Sequence, residues 1–139
     1  MFGQAGNDEL WAGAGNDRAY GGDGDDTMYG DKGNDDMYGG DGDDDMYGGE
    51  DDDELWGGAG NDFIIGNAGA DVIRGEDGDD ILVGGKNEDG FPQGPAALAD
   101  YIYGGAGDDV VFGEDKAKKA FLWGGEGSDY IKGGDSVGD

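Results

Sequence analysis

The 139-residue chain contains no cysteine and no histidine, only two prolines, and eight lysines and arginines against 35 aspartates and glutamates. Without cysteine there is no disulfide framework and no thiolate metal site. Without histidine the usual imidazole ligand and general base are missing, which argues against zinc and copper chemistry. The formal charge of −27 makes nucleic acid and anionic membrane poor partners and cations the natural ones. No apolar run approaches the roughly 20 residues of a membrane helix, and no basic region with an apolar run of signal-peptide length opens the chain. No membrane insertion is expected, and the length suits one domain. Glycine, by contrast, is abundant at 35 residues. A glycine-rich, acidic chain with 35% apolar residues leans by composition toward disorder, because self-repulsion is large and buryable surface small.

The order of the residues reverses that leaning. From Gly3 the chain runs in rows of nine without an insertion: GQAGNDELW, AGAGNDRAY, GGDGDDTMY, GDKGNDDMY, GGDGDDDMY, GGEDDDELW, GGAGNDFII, GNAGADVIR, GEDGDDILV. Position six is always aspartate, and position eight is always apolar: Leu10, Ala19, Met28, Met37, Met46, Leu55, Ile64, Ile73 and Leu82. Positions one to six carry residues that accept tight turns and positive φ, and positions seven to nine carry strand formers. Each row therefore reads as a turn followed by a three-residue strand, with position eight facing one way and positions seven and nine the other. One apolar column fills only a thin core, shared by two facing rows. Two rows, or 18 residues, then make one coil, and coils stack as parallel strands about 4.8 Å apart through right-handed crossovers. The expected fold is all-β: a right-handed parallel β-roll of about six to seven coils.

Written this way, the rows resemble the nonapeptide G-G-x-G-x-D-x-U-x of RTX (repeats-in-toxin) proteins, a calcium-binding β-helix repeat. The resemblance spans nearly the whole chain. It implies calcium ions held between stacked turns, each shared by position-six carboxylates and turn carbonyls of two successive coils. The matching carboxylates are Asp8, Asp17, Asp26, Asp35, Asp44, Asp53, Asp62, Asp71, Asp80, Asp109 and Asp129, with Asp100 in an irregular turn. The matching main-chain carbonyls are those of Gly3, Gly6, Gly13, Gly15, Gly21, Gly22, Asp23, Gly24, Gly30, Lys32, Gly33, Gly39, Gly40, Asp41, Gly42, Gly48, Gly49, Gly57, Gly58, Ala59, Gly60, Gly66, Gly69, Gly75, Asp77, Gly78, Gly104, Gly105, Gly107, Gly124, Gly125 and Gly127. Donor chemistry agrees independently of the family. Oxygen ligands without nitrogen or sulfur suit a hard cation, and a flexible set of six or more favours calcium over magnesium.

Regular repeats cover 3–83. An insertion-bearing turn occupies 84–100, repeats resume over 101–112, a second lengthened turn occupies 113–120, and repeats close the domain over 121–139. Sorted by parity, odd turns carry Asp8, Asp26, Asp44, Asp62, Asp80, Asp109 and Asp129, a ladder with six intervals. Even turns carry Asp17, Asp35, Asp53 and Asp71, with three intervals, then meet both insertions, the second with Ala120 where aspartate belongs. The expectation is about nine calcium ions, six on one edge and three on the other, with a tenth position between Asp71 and Asp100. Stacked carboxylates repel each other until cations join them, so binding and folding should be one event. Lys86, Lys116, Lys118 and Lys119 in the insertions either replace calcium charge or are solvated loop lysines.

Position nine forms an aromatic column: Trp11, Tyr20, Tyr29, Tyr38, Tyr47 and Trp56, then Tyr103, Phe112 and Trp123. It reads as a cross-strand ladder, with a docking face as the alternative. In later rows Phe63, Val72, Ile81, Tyr101, Val110, Phe121 and Tyr130 make position seven apolar as well, which points to a neighbouring domain or a homodimer through that face. Asp51 stands at position four, where the other regular rows have glycine, and either a strained turn or a weak site is expected there. Every carboxylate pair that could serve catalysis is already accounted for by the repeat, and only Thr27, Ser128 and Ser136 offer aliphatic hydroxyls, so no enzyme is expected. The competing reading is an adhesion or ligand-binding module for sugar, ice or mineral, although the regular threonine array of ice-binding rolls is absent. The resemblance implies a non-catalytic, extracellular module of a larger protein, exported by type I secretion and folded where calcium is millimolar.

Overall fold

The computed structural model describes residues 1–85, 100–113 and 120–133. Its strands are Phe2–Ala5 (β1), Glu9–Ala14 (β2), Arg18–Asp23 (β3), Thr27–Lys32 (β4), Asp36–Asp41 (β5), Asp45–Glu50 (β6), Glu54–Ala59 (β7), Phe63–Ala68 (β8), Val72–Asp77 (β9), Ile81–Val83 (β10), Tyr101–Ala106 (β11), Val110–Phe112 (β12), Phe121–Glu126 (β13) and Tyr130–Lys132 (β14). Among the described residues there is no helix, and so none long and apolar enough to cross a membrane. Odd-numbered strands form one seven-stranded parallel sheet and even-numbered strands the other. The chain alternates between the sheets, and each strand pairs with the strand two rows away, as Leu10 with Met28 and Met37 with Leu55. This is the parallel β-solenoid that the period requires, with about six turns.

Most strands are six residues long rather than three. Pairing continues past position nine: Gly13 and Ala14 lie opposite Asp31 and Lys32, just as Trp11 lies opposite Tyr29. Because coils stack at a constant spacing, every row segment faces its equivalent 18 residues on, and main-chain groups of the early turn find partners as readily as those of the strand. The exceptions are the four-residue β1 and the three-residue β10, β12 and β14. Neither lengthened turn shifts the register, since Ile73 pairs with Ile102 across the first and Ile102 with Leu122 across the second. The proposed role of Lys86, Lys116, Lys118 and Lys119 falls outside the described residues.

The core is the position-eight column. Leu10 and Ala19 are almost fully buried, and Met28, Met37, Met46, Leu55, Ile64, Ile73, Leu82, Ile102 and Val111 are fully so. Leu122 packs partly against them, and Ile131 on the outermost strand β14 is 45% exposed because no further described coil covers it. On the outside, the aromatic column is a stacked ladder on the odd sheet, whereas on the even sheet Trp11, Tyr29 and Tyr47 stack and Phe112 lies opposite Val83 and Lys132. Tyr20 and Tyr38 stack at 4.9 Å, Tyr38 and Trp56 at 4.4 Å, and Tyr103 and Trp123 at 4.5 Å. Where the row supplies Arg74 instead of a ring, its guanidinium lies 5.5 Å from Trp56 and 5.4 Å from Tyr103, and so continues the stack by cation–π contact.

Asp51 adopts φ 78°, the left-handed conformation that its glycine counterparts Gly42 and Gly60 take at 136°. The neighbouring rung, from the Gly33 N–H to the Glu50 carbonyl, is 3.2 Å long, against 2.7 Å for Gly42 to Ala59. Asp51→Gly is therefore expected to stabilise the protein by about 1 kcal/mol. The readout is a higher urea midpoint at fixed calcium, and an unchanged midpoint would mean that this torsion carries no strain.

Candidate metal centres

Position six closes each turn and directs its side chain inward, where Oδ1 reaches the main chain of the preceding coil. On the odd edge the Asp8 N–H donates to Oδ1 of Asp26 at 2.7 Å, Asp26 to Asp44 at 2.8 Å, and Asp44 to Asp62 at 2.9 Å. The series continues from Asp62 to Asp80 at 2.9 Å, Asp80 to Asp109 at 3.0 Å and Asp109 to Asp129 at 3.2 Å. On the even edge Asp17 donates to Asp35 at 2.8 Å, Asp35 to Asp53 at 2.9 Å, Asp53 to Asp71 at 3.0 Å and Asp71 to Asp100 at 3.2 Å. The odd ladder has the six expected intervals, and the even ladder has four, because Asp100 joins Asp71 as the regular rows join one another. The even series stops there. The Phe121 N–H donates to the Asp100 carbonyl as the Tyr101 N–H does to Asp71, but the next residue in the column is Ala120, whose Cβ lies against Gly113.

These hydrogen bonds use one carboxylate oxygen. The other, Oδ2 of Asp8, Asp26, Asp35, Asp44, Asp53, Asp62, Asp80 and Asp109, is buried and accepts no hydrogen bond. An ionised oxygen left so costs several kcal/mol. Its neighbour is another acceptor, the position-one carbonyl of the following coil. A Cβ added to Gly3 would lie 2.8 Å from Asp8 Oδ2 and 2.6 Å from the Gly21 carbonyl oxygen, so glycine at position one, which every regular row but the one beginning at Ala12 has, keeps a side chain out of the space beside the two oxygens. A Cβ on Gly66 would meet the Gly84 carbonyl at 2.6 Å, and one on Gly84 would meet Asp100 Oδ2 at 2.6 Å. Gly84 thus repeats the arrangement inside the irregular turn. It was absent from the sequence-derived carbonyls although the glycine pair after Val83 keeps the period. The carbonyls of Asp23, Lys32, Asp41, Ala59 and Asp77 each accept a position-four N–H from the adjacent coil.

Among the described residues no three acidic side chains converge on one point. Carboxylates meet at most in pairs, and the remaining donors are main-chain oxygens. A row of buried carboxylate oxygens beside carbonyl oxygens, with no hydrogen-bond donor to them, fits a hard divalent cation. The titration behaviour agrees. Burial pushes the carboxyls of Asp44, Asp62 and Asp80 up to about 7 and that of Asp53 up to about 8, opposed by the amide each accepts and reinforced by its ladder neighbours. Burial raises Asp35 and Asp109 in the same way.

A second ladder had not been read from the sequence. At position five the N–H groups of Asp25, Asp43, Asn61, Asp79, Asp108 and Ser128 donate to the side-chain oxygens of Asn7, Asp25, Asp43, Asn61, Asp79 and Asp108, at 2.7 to 3.2 Å. It runs from later coil to earlier, opposite to position six, so adjacent amides of one turn are satisfied by the coils on either side. The signal was the near-constant Asn or Asp at position five, a residue type whose side chain substitutes for a main-chain acceptor.

A family model described as the RTX calcium-binding nonapeptide repeat (4 copies) matches residues 2–37, 20–55, 38–71, 56–90, 99–115 and 121–136. Comparison with curated proteins and with solved structures gives no match.

Proposed function

Since the chain belongs to the RTX calcium-binding nonapeptide repeat family, whose repeats form structural, generally non-catalytic modules of proteins that are typically secreted, we propose that residues 1–139 are one such module, folding as its cages fill. It is a non-catalytic part of a larger extracellular protein delivered by type I secretion, and calcium met outside the cell triggers its folding. The position-six carboxylates, with the turn carbonyls named above, hold the ions. The observation that carries this reading is the file of buried Oδ2 atoms without donors, each set against a carbonyl of the next coil. Counting intervals, six odd and four even, gives about ten ions, one for each pair of stacked turns. The outer face of the odd sheet in the carboxy-terminal half, where Tyr101, Phe121 and Trp123 are 41%, 44% and 44% exposed, is the surface we assign to a neighbouring domain or a second copy.

Calcium titration followed by circular dichroism, with native mass spectrometry for stoichiometry and magnesium as control, tests the reading. Little sheet is expected in chelator, a cooperative gain with calcium but not magnesium, and about ten ions bound at saturation. Full sheet content in excess chelator would overturn it.

A further inference from the structure

The amino-terminal half of the core is built from methionine. Met28, Met37 and Met46 occupy three successive position-eight sites, each 0% exposed. Met28 and Met46 are register partners on β4 and β6, and Met37 comes from β5 of the facing sheet. The other large residues of that column are leucine, isoleucine and valine, which mild oxidants leave alone. A thioether differs. Hydrogen peroxide transfers one oxygen atom to sulfur, the O–O bond breaks, the sulfide is oxidised to a sulfoxide, and the peroxide is reduced to water.

In the folded roll no solvent reaches these sulfurs, whereas in an unfolded chain all three are exposed. The sulfoxide is polar, and its oxygen is a strong acceptor. The core between the sheets is one side chain thick, the neighbours of each sulfur are other apolar position-eight residues, and the amides nearby serve the ladders. A sulfoxide placed there has no donor. We propose that Met28, Met37 and Met46 are an oxidation site open only in the calcium-free chain, and that their conversion to sulfoxides locks the chain out of the roll. The inference rests on the reading that calcium drives folding. Met1, the one remaining methionine, is 50% exposed and serves as an internal reference.

The full chain is treated with hydrogen peroxide in calcium and, separately, in chelator. Oxygen uptake at each methionine is read by peptide mass spectrometry, after which peroxide is removed and calcium titrated. The expected result is oxidation confined to Met1 in calcium and spread over all four methionines in chelator. The chelator-treated chain should then gain no sheet, or need roughly tenfold more calcium. A Met28→Leu, Met37→Leu, Met46→Leu variant, close in volume, should fold with calcium after the same treatment, which excludes damage to tyrosine or tryptophan as the cause. The proposal is overturned if Met28, Met37 and Met46 oxidise as fast as Met1 in calcium, or if the oxidised chain folds at the same calcium midpoint as the untreated one. Untreated chain carried alongside separates the two readings. If it gains no sheet with calcium, both fail, and if it folds while its oxidised counterpart folds equally well, only this one does.

Discussion

Asp62→Ala should bind two calcium ions fewer than the wild-type protein, and Asp129→Ala only one fewer. Asp62 lies mid-ladder, with Oδ1 accepting the Asp44 N–H and its own N–H donating to Asp80, so it borders two intervals. Asp129 borders one, since only Asp109 donates to it among the described residues. With calcium at ten times the dissociation constant each site contributes about 1.4 kcal/mol, and leaving the buried Asp44 amide without an acceptor costs about 1–3 more. The Asp62 substitution should therefore remove about 4–6 kcal/mol, comparable with the entire stability of a small domain. Native mass spectrometry gives the ion count, and urea unfolding at fixed calcium gives the loss. Equal losses at the two positions would show that carboxylates are not shared between successive sites.

The second large effect is a reversal of pH dependence by calcium. In calcium-free buffer, Asp44, Asp62 and Asp80 titrate in the folded roll at about 7 and Asp53 at about 8, against an ordinary value of 3.8. Carboxyls whose pKa is raised by folding favour the fold while protonated. Their contribution is complete below the unfolded value near 4 and is lost as pH rises through 7 to 8. Acid should thus partly replace the metal, and the calcium-free chain should gain sheet between about pH 8 and about pH 5. With calcium present the sign is opposite, because only the ionised carboxylate binds the ion and protons compete for it, so stability falls as the pH is lowered. Sheet content by circular dichroism without calcium, and urea midpoints with it, each taken at both pH values, give the two slopes. Slopes of the same sign would mean that the buried carboxylates do not hold the metal.

Much of this architecture was legible because a strict 18-residue coil makes every column a line of contacts. Asp26, Asp44 and Asp62 recur at one row position, and that alone places them one above another. What stayed hidden depended on the direction and reach of hydrogen bonds, which a column of letters does not display. Strands six residues long follow from main-chain pairing of Gly13 and Ala14, residues chosen for turns and poor in strand propensity. The outer ladder from Asn7 to Ser128 depends on which coil a position-five side chain faces. Arg74 breaks the aromatic pattern as a letter but continues it as a flat cation between two rings. The tenth interval was legible as a position between Asp71 and Asp100, although the two are 29 residues apart where regular partners are 18 apart.

That longer separation has a use. Val72 and Tyr101 stand in the same register as Glu54 and Val72, although far more chain connects the former pair. Length can thus be added at this border of the solenoid without any strand changing partner. A foreign loop spliced between Gly85 and Asp100 would be carried as cargo on a mineral-set chassis, displayed when the ions are in place and withdrawn from display when they are stripped away.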